Sequence, residues 1–205
     1  MITSYGILQN KKSIERYFNA KFYQVGFEPV FKADGFSHPL MPIILDISPN
    51  IISGGSWGLM PSWAKSTSYQ NSSLNISVHT LSNQKLNKEF IQNRCLIIAS
   101  HFFITEWLDE QGINKDVYKV GLEDSDIFCL AGLYAIWKDK YSNSNNLTFT
   151  LLTKSTNVLN EKVSFKNKIS PLILRSQDES LWLSGYDLNF FTNSFDINLT
   201  GEIVG

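Results

Sequence analysis

A basic excess, arginine and paired cysteine are what this sequence is short of. Lys and Arg number 18 against 19 Asp and Glu, a formal net charge of −1, and only Arg16, Arg94 and Arg175 are arginine. A surface that is basic throughout is therefore excluded, and any groove for a polyanion must be local. The two cysteines, Cys95 and Cys129, lie in the apolar runs RCLIIA and IFCLAG, with no CxxC pair and no histidine at ligand spacing. They read as buried small hydrophobes in a reducing compartment, and neither a metal nor a cofactor is expected. No apolar run approaches the roughly 18 residues of a membrane span. The opening MITSYGILQNKKSIERYF lacks the basic-then-apolar order of a signal peptide. A cytoplasmic protein with no membrane contact is the expectation. Repeats, low-complexity tracts and linkers are absent too, so residues 1–205 read as a single domain.

What is present is core-forming material: 43% of the chain is hydrophobic and 13% of the chain is aromatic, enough to exclude global disorder. Ile14, Tyr17 and Phe18 recur at helical spacing within 10–20. The next stretch, GFEPVFKADGFSHPLMPIIL, holds three prolines and two glycines, and Pro39 and Pro42 argue against a central strand there. Beyond it, PNIISGGSWGLM reads as a short strand entering a loop, and 83–93 as a short helix capped by Asn83. RCLIIASHFFITEW is β-rich and too continuous for a strand with one wet face. DVYKVGL, SDIFCLAGLYAIW and LTFTLLT follow as strands separated by turn-forming polar runs. STNVLNEKV reads as a helix capped by Ser155 or Thr156, and SPLILRSQDESLWLSG as a strand and a helix closed by Gly185. The pattern is α+β: a mainly antiparallel, curved, barrel-like sheet system with short peripheral helices.

The order of SWGLMPSWAK, Asn75, NRCLIIASHFF with EWLDEQG behind it, FCLAGLYAIW, LTFTLLTKSTN, ISPLIL and SLWL resembles the SRAP family, the SOS-response-associated peptidase-like proteins. Members of that family shield abasic sites in single-stranded DNA. The resemblance runs over about residues 1–183 and leaves 184–205 as an aromatic-rich tail. It implies a compact α+β domain and a defined chemistry. A ring-opened abasic sugar is an aldehyde, and a cysteine directly after the initiator methionine condenses with it through amine and thiol into a five-membered ring. An asparagine in N-A-R-x-E, a glutamate in G-F-Y/F-E-W and a histidine shortly before M-P-V-I-L complete the family's site, the last two supplying acid–base help.

Carried over residue by residue, only the asparagine remains, as Asn75 in Asn75-Ile76-Ser77-Val78-His79. Ile2 stands at the nucleophile's position, Ile104 at the glutamate's in an ungapped match, and Ser164 at the histidine's. Because methionine removal requires a small second residue, Met1 is expected to stay and to present an ordinary primary amine. Such an amine forms a reversible Schiff base but has no thiol to trap it. The expectation is a catalytically degenerate member without crosslinking or peptidase activity. Two alternatives stand beside it: an SRAP-type enzyme using the Met1 amine with His79 as a surrogate, and a protein–protein module with no DNA contact.

Pro39, Trp57, Pro61, Trp63 and Asn75 are the candidates for a residual groove for single-stranded DNA, since aromatic planes stack on bases. Lys11, Lys12, Lys65, Lys85 and Lys88 are scattered as on a solvated face. Serine at 77 does not replace the phosphate-gripping fork of arginine. His101 reads as a packed or hydrogen-bonded histidine and His38, beside Pro39, as a turn residue. Partners are thus weakly held single-stranded DNA or an unknown protein.

Overall fold

The computed structural model describes residues 1–24, 26–81, 90–109, 111, 113–139, 142–155, 169–192 and 197–205. In chain order the described elements begin with β1 (Ser4–Ile7), α1 (Lys11–Phe18), β2 (Lys21–Phe22), β3 (Val30–Asp34), β4 (Leu40–Leu45), β5 (Ser48–Trp57), β6 (Asn75–Ser77), α2 (Val78–Leu81), β7 (Arg94–Ala99), β8 (His101–Trp107), β9 (Lys115–Leu122) and β10 (Phe128–Lys138). After β11 (Asn145–Ser155) come β12 (Ile169–Pro171), β13 (Ile173–Leu174), α3 (Glu179–Leu183), α4 (Leu188–Thr192) and β14 (Leu199–Ile203).

Two sheets share one core. The first runs β14-β9-β8-β1-β3, antiparallel at every pairing. The second runs β12-β11-β10-β7-β4-β5-β2, with β13 on β10 and β6 on β11. Its strands β11 and β5 also pair, in parallel, at Thr148–Ser56 and Phe149–Trp57. That pairing closes β11-β10-β7-β4-β5 into a five-stranded mixed barrel, which leaves those strands no free edge. The expected curved, mainly antiparallel α+β architecture is what the structure holds.

The local reasons are visible in the elements. Asn10 caps α1 by accepting from the Ser13 N–H at 3.0 Å, and Asn19 closes it in the left-handed region at φ 48°. The expected helix after the strand near 170 is α3, with Gly185 at φ +81° beyond it. The long run 94–107 is continuous in hydrophobicity because it is two strands, each buried on both faces, that change sheets at Ser100. There the Ser100 N–H donates to the Gly6 carbonyl at 2.8 Å and its Oγ accepts from the Leu8 N–H at 3.0 Å.

One expectation is overturned. Despite Pro39 and Pro42, residues 40–45 form β4, a central strand between β5 and β7. The register gives the reason. β7 pairs only with Ile43, Ile44 and Leu45, while Pro42, opposite Gly54 of β5, precedes the first β7 pair. A proline is tolerated where the neighbouring strand has not yet begun to pair. PNIISGGSWGLM, expected as a short strand, is the ten-residue β5 and its exit. The helices expected over 83–93 and 155–163 lie for the most part outside the described residues.

The tail packs on its own chain. Phe191 is buried and meets the Trp182 ring edge-on at 5.2 Å, and β14 adds a strand beside β9. Arg94 fixes this region to β7. Its Nη1 donates to the carbonyls of Tyr186 at 2.7 Å and Trp182 at 3.3 Å, and its guanidinium lies 4.3 Å from the Trp182 ring centroid. Arg94→Met keeps the apolar stem but leaves both carbonyls without that donor. A loss of about 2–3 kcal/mol is expected in urea unfolding, with the fluorescence of Trp182 reporting the release of α3.

Glu179 opens α3 against Cys129. Burial pushes its carboxyl up to about 7, opposed only by a hydrogen bond from the Cys129 thiol, and its Oε1 is buried with no partner among the described residues. The folded pKa therefore exceeds the ordinary 4.5, and the neutral form is the one the fold favours. Its stabilisation is complete below about pH 4.5 and is lost as pH rises through about 7. Glu179→Gln should raise the melting temperature at pH 8 and leave it nearly unchanged at pH 5. The difference between the two pH values should be on the order of 1–2 kcal/mol after allowance for the partly solvated carboxyl.

Candidate functional site

Asn75 begins β6, and its amide reaches across to residue 2. Its Oδ1 accepts from the Ile2 N–H at 3.3 Å and its Nδ2 donates to the Ile2 carbonyl at 2.8 Å. One side chain thus satisfies both backbone groups of Ile2, as a neighbouring strand would. The next carbonyl, of Thr3, accepts from the Gly35 N–H at 2.8 Å. Residues 2 and 3 are held from two sides just before β1 starts.

Asn75 is itself placed by Trp57. This indole is fully buried, and its Nε1–H donates to the Leu74 carbonyl at 2.9 Å. The same carbonyl accepts from the Leu151 N–H at 3.1 Å, which sets β6 beside β11 with Asn75 opposite Leu151. The Trp57 ring meets Tyr5 edge-on at 5.0 Å and stacks on Phe149 at 6.4 Å. A Cβ at Gly35 would lie 3.1 Å from Trp57, so the close approach of that turn depends on glycine.

Around the clamp the surfaces are apolar. Ile2 is 2% exposed and Ile104 3%, both within the main core. Regular alternation along β8 puts Phe102, Ile104 and Glu106 on one face. Glu106, which sequence matching without a gap sets aside, is therefore a buried carboxylate two residues along the same face as Ile104. The signal for it was present in the Glu106-Trp107 dipeptide, which keeps the Glu-Trp order of the resemblance. Ser164 lies outside the described residues.

The other candidates separate into those that face solvent and those that do not. Trp57 and Pro61 are buried, and Pro39 is half-buried with its carbonyl accepting from the Trp57 N–H at 3.1 Å. Trp63 is 48% exposed and meets Tyr69 edge-on at 5.3 Å. With Lys65, Ser66 and Ser68 these two rings line a mostly apolar cavity of about 400 Å³. The motif GGSWGLMPSWAKS thus has one tryptophan for the core and one for the surface. Leu40, Phe36 and Trp107 are also exposed, at 70%, 51% and 50%.

The histidines divide similarly. His38 is a turn residue at φ 50°, bonded through Nδ1 to the Trp57 carbonyl at 2.8 Å and through Nε2 to Asn71 at 3.0 Å. His79 is exposed in α2. His101 is 1% exposed, with Nε2 at 2.7 Å from the Phe31 carbonyl, and burial lowers its pKa. Of the arginines, Arg94 is buried at the tail and Arg175 pairs with Asp178 at 2.5 Å. Among the described residues no three His, Cys, Asp or Glu side chains gather to hold a metal, and no helix is long and apolar enough to cross a membrane. Cys95 and Cys129 are buried free thiols whose pKa values burial raises.

Known proteins resemble the chain in sequence and in fold. The chain is 32% identical over 149 residues to the abasic site processing protein YoqW of Bacillus subtilis, and 28% identical over 149 residues to YoaM of the same organism. The matched segment covers 72% of this chain and 64% and 63% of those relatives' own lengths. Among solved structures, a Bacteroides thetaiotaomicron protein superposes with a TM-score of 0.86 at 22% identity, over 99% of this chain and 92% of the other. One from Bordetella bronchiseptica gives 0.80 at 16% identity, over 99% of both chains. At such identities these two speak for the fold alone. The family model described as SOS response associated peptidase (SRAP) matches residues 6–191, and the chain belongs to that family.

Proposed function

We propose that this chain is a cytoplasmic, single-domain SRAP protein that recognises single-stranded DNA without bonding to it covalently. The observation that carries the reading is Ile2. The position that the resemblance assigns to the crosslinking cysteine holds a buried, thiol-free side chain, fixed through both backbone groups by Asn75. An opened abasic sugar needs an amine and a thiol on adjacent carbons to close a five-membered ring. With isoleucine there, an imine formed by any nearby amine stays open to hydrolysis. Glu106 keeps a carboxylate on the face of Ile104, so the thiol is the decisive loss.

Two features favour DNA as what remains bound, and a third limits its affinity. The Bacillus relatives are named for abasic-site processing. Trp63 is exposed, next to Lys65 and edge-on to Tyr69, a surface on which a base stacks for about 1–3 kcal/mol. The supply of phosphate-binding forks is small, because Arg94 and Arg175 are engaged elsewhere. Affinity then rests on stacking and a few lysines, and is low and salt-sensitive.

Incubated with a single-stranded oligonucleotide bearing an abasic site, the protein should give no adduct that survives heat and denaturing electrophoresis. A heat-stable adduct would overturn the reading. Undamaged single strands should bind at low salt, with a log–log salt slope of about 1–3. Trp63→Ala should weaken that binding about 5- to 100-fold. If no salt-dependent binding is seen, DNA is removed as the ligand and a protein partner takes its place.

A further inference from the structure

Regular alternation gives the sheet β14-β9-β8-β1-β3 two faces of different character. Phe102, Ile104 and Val120 point into the main core. Their neighbours point the other way, and the register sets them in rows: Phe103 opposite Lys119, Thr105 opposite Val117, Trp107 opposite Lys115. Lys119 in turn is opposite Glu202 of β14. Beside His101, β1 supplies only Gly6, which has no side chain. Phe31 of β3 reaches across that gap to the Phe103 ring, edge-on at 5.7 Å, and Lys32 stands over the same ring with Nζ 4.8 Å from its centroid.

This outer face is built of lysines set against rings. Lys119 Nζ lies 5.8 Å from the Phe31 centroid, and Lys115 Nζ 5.7 Å from that of Trp107. Phe31 and Trp107 are 52% and 50% exposed, and Val204, bonded to Val117 at the end of β14, is exposed as well. The charges are unequal. Glu202 pairs with Lys119 at 2.6 Å, while Lys32 and Lys115 enter no ion pair among the described residues. Asp116 turns to the opposite face, across from Glu106, and the Asp34 carboxylate accepts from the Phe36 N–H at the end of β3. In a chain of net charge −1 this is a local excess of positive charge.

The lysines and rings recur along the strands. Phe31 with Phe103, Lys32 and Lys119 forms one station, and Trp107 with Lys115 forms the next, roughly 13 Å further along β8 at about 3.3 Å per residue. Between them the Thr105–Val117 pair is short and leaves a shallow floor. A repeat of plane and cation matches a ligand that repeats plane and anion. Nucleobases stack on exposed aromatic rings while phosphates take lysine ammonium groups. We propose that the outer face of this sheet binds a single-stranded polynucleotide along the line from Phe31 to Trp107. The face is separate from the Trp63 cavity, whose Tyr69 packs on the cluster of Met60, Ala64 and Trp137, so either site can fail without the other.

The test uses the full chain, ¹⁵N-labelled and carrying Trp63→Ala so that the other stacking surface is removed. It is titrated at low salt with oligothymidylate and, separately, oligouridylate of about ten nucleotides. The amides of Phe103, Lys115 and Lys119 and the Trp107 indole should shift saturably, and the ratio of the two midpoints shows whether DNA or RNA is preferred. Three lysines at about 0.7 per phosphate predict a log–log salt slope of about 2. Lys32→Glu together with Lys115→Glu, both at exposed positions, should weaken binding at least about tenfold and bring the slope below about 1. Trp107→Ala should weaken it about 5- to 100-fold and leave the slope unchanged. The proposal is overturned if neither oligonucleotide moves these signals, or if the double charge variant binds like its parent. It is overturned also if poly-L-glutamate shifts the face while both oligonucleotides leave it unmoved, which would make it a site for an acidic protein segment.

Discussion

The indole of Trp57 is the interaction on which the rest of this structure depends. Its strand closes the barrel through the parallel pairing of β5 with β11, and its ring stacks on Phe149 of β11 while touching Tyr5 of the other sheet. Its one polar atom donates to Leu74, the residue before Asn75. A buried indole N–H has to find an acceptor, and here that requirement fixes where β6 begins. From there Asn75 reaches Ile2. Barrel closure, the packing of the second sheet and the placement of the site are three consequences of one side chain's position.

The same chain of contacts explains how residue 2 is held in place whatever side chain it carries. Asn75 binds the backbone N–H and carbonyl of residue 2, which every amino acid but proline provides, so the clamp does not depend on the side chain there. Ile2 then turns inward and joins the core, as Ile104 does from β8. Apolar burial at these two positions stabilises the fold by about 1.5–3 kcal/mol for each side chain, whereas a buried carboxylate would have needed partners.

Much of this was legible in the sequence, and the exceptions have physical causes. The α+β class followed from strand patterning and turn residues, and the family from the order of WGLMPSW, RCLIIA and the later strands. Pro42 misled because a proline rule about central strands holds only where both neighbours are pairing, and pairing extent is a tertiary property. The division of labour between Trp57 and Trp63 was not visible either, since both sit in the same aromatic, glycine-flanked motif. Only the closing of the barrel buries the first and leaves the second at 48% exposure. Glu106 was missed through its register: two extra residues return a side chain to the same face of a strand, so a shift by two preserves direction where a shift by one would reverse it. His101 read as a packed histidine, and it is one. Gly6 of β1 and Gly121 of β9 are brought to either side of it only by strand pairing.

Amide hydrogen exchange at Ile2 tests the dependence of the site on Trp57 most directly. Trp57→Phe retains an aromatic ring and removes the N–H that holds Leu74 together with part of the buried ring volume. In the parent protein the Ile2 amide should be protected about as well as those of β1. In the variant, the Ile2 and Leu151 amides should lose at least about tenfold more protection than amides in β8 and β9, as expected for local opening. Uniform loss across all four segments, or an Ile2 amide already unprotected in the parent, would contradict the account.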